Sequence, residues 1–163
     1  MSIESVLGIF TNIPVDWAIL AVFAIFAAFD VVRSGAQRVS MLALALPATV
    51  FLIAALSSDA ILGPISKQFS TPVLQAVLFA IILVVMYVLA GRLGISYGGE
   101  SGQPLQALLA GLAVTAILVC IWIGTPALQA VWHFGTQVQG VFGESYRFWW
   151  ILGGYGALAF IRR

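Results

Sequence analysis

The sequence predicts an all-α polytopic membrane protein: four or five transmembrane helices plus short interfacial amphipathic helices, in one integral domain over residues 1–163. Three observations lead there. Charged residues are 8% of the chain and hydrophobic residues 62%, where ordinary soluble proteins carry about 25% charge. A soluble fold of this size leaves roughly 30% of its unfolded surface in water, too much to hide that apolar area. Four apolar runs approach the ~20 residues that a bilayer-spanning helix needs. Lastly, the arginines collect in alternate connections, the bias that orients membrane proteins.

The first run spans roughly Val15 to Val32. Asn12 and Pro14 are helix-start chemistry, and Asp16 falls in the first turn, where the helix dipole favours an acid. Trp17 stands where an aromatic belt residue belongs. Ala21, Ala24 and Ala28 share a face on which a neighbouring helix can approach closely. Asp30 is the one acid inside this apolar pattern. Arg33, three residues on, shares its side, so the spacing predicts a local ion pair at the end of the helix. Asp30, Arg33, Gly35 and Arg38 are read together as candidate ion pair and topology determinants of the turn before the second run.

The second run, Val39 to Leu56, contains Pro47, which removes a backbone hydrogen bond and is expected to kink the helix. The third run is Val73 to Ala90. The fourth, Leu105 to Ile123, follows Pro104 and carries a packing face at Ala107 and Gly111. Residues 1–12 are expected to form either a short interfacial helix or a frayed terminus, residues 57–72 a short interfacial helix interrupted at Gly63-Pro64, and 91–104 a glycine-rich flexible loop. Residues 126–143 place Leu128, Val131, Phe134, Val138, Val141 and Phe142 on one side. Gln129, His133, Thr136, Gln137 and Gln139 fall on the other. This pattern predicts one amphipathic helix along the membrane surface. Phe148 to Ile161 is short for a span, and whether it crosses is left open by length.

A fifth crossing is favoured by charge. With the N-terminus outside, five spans put Arg33, Arg38, Arg92, Arg162 and Arg163 inside and leave Lys67 and Arg147 outside. The expected orientation is therefore N-terminus out, C-terminus in.

Chemistry is sparse. His133 has no Cys, Asp or Glu at ligand spacing, and Cys120 sits in an apolar run, where it reads as a small buried hydrophobe. The glycines of 91–104 match no phosphate-binding pattern. No catalytic residue, metal ligand or cofactor is expected. A net charge of +1 with no basic patch argues against nucleic acid as a partner. The expected partners are membrane lipids and, beyond them, other membrane proteins or a second copy of the chain.

Residues 14–57 resemble the colicin V production protein (CvpA) family of small bacterial inner-membrane proteins. The match rests on Asp16 at the start of span one, Arg33-Ser34-Gly35 in the turn, and Arg38 before span two. Ser34 and Asp30 stand where a turn richer in glycine and arginine is usual, and the C-terminal third has no counterpart. The resemblance implies a location in the bacterial cytoplasmic membrane. It also implies a non-enzymatic role as scaffold or accessory factor in envelope or export processes. The alternative is a small channel or transporter subunit, for which the spans offer little at mid-membrane beyond Thr49, Gln75, Gln106, Thr115 and Asp30.

Overall fold

The computed structural model describes residues 14–56, 71–92 and 104–161. The segments read as interfacial over 1–12 and 57–72, the body of the 91–104 loop, and Lys67, Arg162 and Arg163 lie outside the described residues. Within them all regular structure is helical: α1 (Val15–Ser34), α2 (Gln37–Leu56), α3 (Pro72–Arg92), α4 (Pro104–Gly124), α5 (Pro126–Val131), α6 (Thr136–Phe142) and α7 (Glu144–Ile161). Prolines set several of the starts. Pro72, Pro104 and Pro126 open α3, α4 and α5, and Pro14 precedes α1. Proline loses nothing there, because the first N–H groups of a helix have no intrahelical partner.

Helix α4 is the central post. Twelve of its residues are buried, from Ala107 to Ile123. Helix α1 lies against it antiparallel. Leu20 packs among Val119, Cys120 and Ile123, and Val31 joins the cluster that holds Ala107. Between these levels the two backbones nearly touch. A Cβ placed on Gly111 would stand 2.5 Å from the Ala24 carbonyl oxygen and 2.8 Å from the Ala28 nitrogen. The small-residue faces of the two helices thus meet at Ala24, Ala28 and Gly111. Ala107 is buried one turn away, whereas Ala21 is exposed.

Helix α2 follows α1 after a turn of two residues. Gly35 has φ 79°, a conformation that suits glycine, and its N–H closes α1 on the Val31 carbonyl at 2.9 Å. Val39, Ala43 and Leu46 then pack on Ala110, Val114 and Ile117 of α4. Helix α3 lies outside α2, with Gly91 near Met41, and buries only Phe79 and Ala90.

Helix α7 runs antiparallel to α4. Its Arg147 lies over Gly124, and its Gly154 sits against Ile117 and the Ala113 carbonyl. It begins at Glu144, before the expected Phe148, and continues through Gly153, Gly154 and Gly156. Its 18 residues rise about 27 Å, close to the hydrocarbon thickness.

Pro47 lies inside α2 without ending it. It has no N–H to give the carbonyl four residues earlier, at Ala43. Tyr155 of α7 fills that vacancy: its hydroxyl donates to the Ala43 carbonyl at 2.6 Å. The proline of one helix is therefore matched by a donor from another, as a chain surrounded by lipid requires.

Two outcomes follow from these contacts. Gly111→Ala should lower the thermal stability of the detergent-solubilised protein by about 1–3 kcal/mol, because its Cβ meets backbone rather than a movable side chain. Gly153→Ala, whose Cβ meets nothing within 4 Å, should leave the unfolding temperature unchanged or raise it. In a double-mutant cycle, Tyr155→Phe should cost about 1–3 kcal/mol alone, by orphaning a buried carbonyl, and much less in a Pro47→Ala background.

Candidate functional site

The helix directions give the bundle two unlike ends. Arg33, Arg38 and Arg92 collect at one, where α1 and α3 finish and α2 begins. The tryptophans collect at the other. Trp17 opens α1, Trp122 closes α4, Trp132 follows α5, and Trp149 and Trp150 lie in the first turns of α7. Indole rings favour the membrane–water boundary, where one edge is apolar and the N–H finds a partner.

At the arginine end Asp30 pairs with Arg38, Oδ1 to Nη1, at 3.7 Å. The expected partner was Arg33. The turn at Gly35 explains the difference. It sends α2 back alongside α1, so the first turn of α2 faces the last turns of α1, while Arg33 stays exposed. Ser34 donates to the Asp30 carbonyl at 2.7 Å and fastens the same turn. The pair stands at the mouth of a groove of about 360 Å³ whose walls are α1 and α3 and whose floor is α2 and α4. Phe23, Phe26, Leu83 and Tyr87 line it with Asp30 and Arg38.

At the tryptophan end the expected single helix over 126–143 is two helices, α5 and α6, broken by extended backbone at Trp132 and Gly135. Tertiary bonds hold the break open. Asp16 accepts the Gly135 N–H at 2.6 Å, so one carboxylate serves both the first turn of α1 and the start of α6. Trp122 Nε1 donates to the Trp132 carbonyl at 2.9 Å. Gln139 Nε2 donates to the Phe134 carbonyl at 2.8 Å and lies 2.9 Å from His133 Nε2. Gln129 donates to the Ile123 carbonyl. Phe134, Val138 and Phe142 are buried, and His133 and Gln137 are exposed. Val131 and Val141, expected on the buried side, are exposed as well.

Aromatic contacts join this cap to the bundle. Phe142 lies between Trp17 and Trp150, with centroids 6.3 Å and 4.8 Å away, and Trp122 meets Phe134 edge-on at 6.2 Å. Trp150 Nε1 donates to the Val141 carbonyl at 2.8 Å. Arg147 reaches over the C-terminal end of α4, where the helix dipole favours a cation. Its Nε is buried with no hydrogen-bond partner among the described residues.

Reasoning from sequence groups Asp30, Arg33, Gly35 and Arg38 at the turn between α1 and α2, with Arg33 rather than Arg38 as the partner of Asp30, and places Gly111 on a packing face. It missed the tie from Asp16 to Gly135 and the bond from Tyr155 to Ala43, whose partners lie 119 and 112 residues apart. No local pattern signals either one, although Pro47 marks Ala43 as a carbonyl in need of a donor. No group of three or more His, Cys, Asp or Glu is placed to hold a metal among the described residues.

These features define an all-α polytopic membrane protein with four helices, α1 to α4, long and apolar enough to cross a bilayer. Comparisons with family models, curated proteins and solved structures give no match to this chain.

The tie at Asp16 has a measurable consequence. Asp16→Ala should free the Gly135 amide and loosen the cap by about 0.5–1.5 kcal/mol, since the bond is exposed and water can replace it. Hydrogen exchange should then speed up over 132–143 and stay slow through α4.

Proposed function

We propose that this chain is a non-enzymatic scaffold or accessory protein of the bacterial cytoplasmic membrane, acting in envelope or export processes. One observation carries the reading: the centre of the bundle is apolar. Thr49 and Thr115 are the buried polar side chains among the described residues, and each spends its hydroxyl on its own helix, at Ala45 and Gly111. A conduit for ions or polar solutes needs polar groups lining a path at mid-membrane. The charged side chains of α1 to α4, Asp16, Asp30, Arg33, Arg38 and Arg92, stand toward the helix ends, and Asp30 lies 3.7 Å from Arg38.

Two further points agree with a scaffold. Gly153 and Gly156 of α7 have open space where a Cβ would stand, so a second helix can come close there. The resemblance of residues 14–57 to the CvpA family supplies the proposed setting. The orientation belongs to the same proposal: the arginine end faces the cytoplasm and the tryptophan end faces outward, following the positive-inside bias.

Orientation is tested by cysteine labelling in a Cys120→Ala background. Ser34→Cys should react only after the membrane is opened to the cytoplasmic side, and Ser145→Cys should react from outside. The reverse pattern overturns the orientation. The role is tested by Asp30→Asn. A scaffold should keep a normal protein level and complement a deletion as well as the natural sequence does, since an exposed ion pair contributes about 0–1 kcal/mol. A normal level with complete loss of complementation would favour a transport subunit instead.

A further inference from the structure

We propose that the groove between α1 and α3 binds a phospholipid with a primary-amine headgroup, its phosphate on Arg38 and its ammonium on Asp30. This goes beyond the scaffold reading and does not depend on it. The groove follows α1 from Phe23 to Asp30, about 10 Å at helical rise. Phe23, Phe26 and Leu83 give it an apolar length suited to part of an acyl chain; its lining is almost wholly apolar, and the charged groups of Asp30 and Arg38 stand exposed at its rim.

The mouth selects the headgroup. A carboxylate and a guanidinium stand side by side, so a purely anionic head meets Asp30 unfavourably and a purely cationic one meets Arg38 unfavourably. A dipolar head matches both. The protein pair itself is loose. It has one contact at 3.7 Å, and the side chains of Arg38 and Asp30 are 62% and 42% exposed. Arg38 therefore keeps N–H groups for a phosphate, and Asp30 keeps an oxygen for an ammonium N–H. A quaternary choline head has the same charges but no N–H to donate, so it loses the bond to Asp30.

The test is native mass spectrometry of the full chain, purified in detergent and stripped of lipid. It is offered equal amounts of phosphatidylethanolamine, phosphatidylcholine and phosphatidylglycerol with identical chains. The phosphatidylethanolamine adduct should exceed each of the others by about tenfold, the worth of one charge-assisted hydrogen bond. Asp30→Asn should bring phosphatidylethanolamine down to the level of phosphatidylcholine. Leu83→Trp, which fills the groove, should reduce all three adducts while the protein still elutes as one species. If Leu83→Trp does not fold, Val84→Trp on the same lining makes the same block from a more exposed position. Equal retention of the three lipids overturns the proposal. So does a preference for phosphatidylglycerol, which would mean that arginines alone read the head, or an ethanolamine preference that survives Asp30→Asn. A change of oligomeric state in the groove-filling variant overturns it too, by making a second copy the occupant. These readouts come from purified protein, so they fail or succeed separately from complementation in cells.

Discussion

Two apolar helices in a bilayer gain little by hiding from lipid, because lipid tails are as apolar as they are. What holds them together is close fit. In this protein the fit is tightest where α1 crosses α4 at Gly111, with Ala24 and Ala28 opposite. Much of the remaining architecture refers back to α4. Helix α2 packs on its Ala110 and Val114, α7 on its Ala113 and Ile117, and the cap closes over its end at Trp122. A chain with so few charges can be specific only through shape and a small number of polar bonds.

Those polar bonds follow one rule: a backbone group left without a partner draws a donor or acceptor from elsewhere in the chain. Pro47 leaves the Ala43 carbonyl open, and Tyr155 reaches it from α7. The break between α5 and α6 exposes the Gly135 amide and the Trp132 and Phe134 carbonyls, which go to Asp16, Trp122 and Gln139. Breaking an element near the membrane is costly unless each freed group is met. The cap meets them with side chains from α1, α4 and α6.

The spans were the most legible part of the sequence, because solvation by lipid is written directly into composition. Their observed ends lie within one or two residues of the apolar runs, extended by residues such as Pro72, Arg92 and Pro104 that belong to the helices without being apolar. The Gly111 contact was legible as small-residue spacing. Helix α7 was less so: three glycines and the charges at Glu144 and Arg147 dilute its apolar signal, and its place comes from packing on α4. The pairing of Asp30 with Arg38 required knowing how tightly Gly35 turns the chain. The break at 132–135 has no proline to announce it. It is made by partners from distant parts of the chain, which periodicity cannot see.

The central position of α4 also sets a timetable for biogenesis. The chain is made from its N-terminus, so α1 emerges before α4. Ala28 must wait for some 80 further residues before Gly111 exists, roughly 4–16 s at ordinary rates of translation. Over that interval α1 has α2 beside it, joined by the short turn at Gly35, and later α3, but not the helix that buries its small face. The early hairpin must be soluble in lipid by itself. The exposed Phe26, Phe29 and Phe51 on its outer sides suit that state as well as the finished one. Assembly of the bundle is then a late docking event, in which α4 enters among helices already in the bilayer.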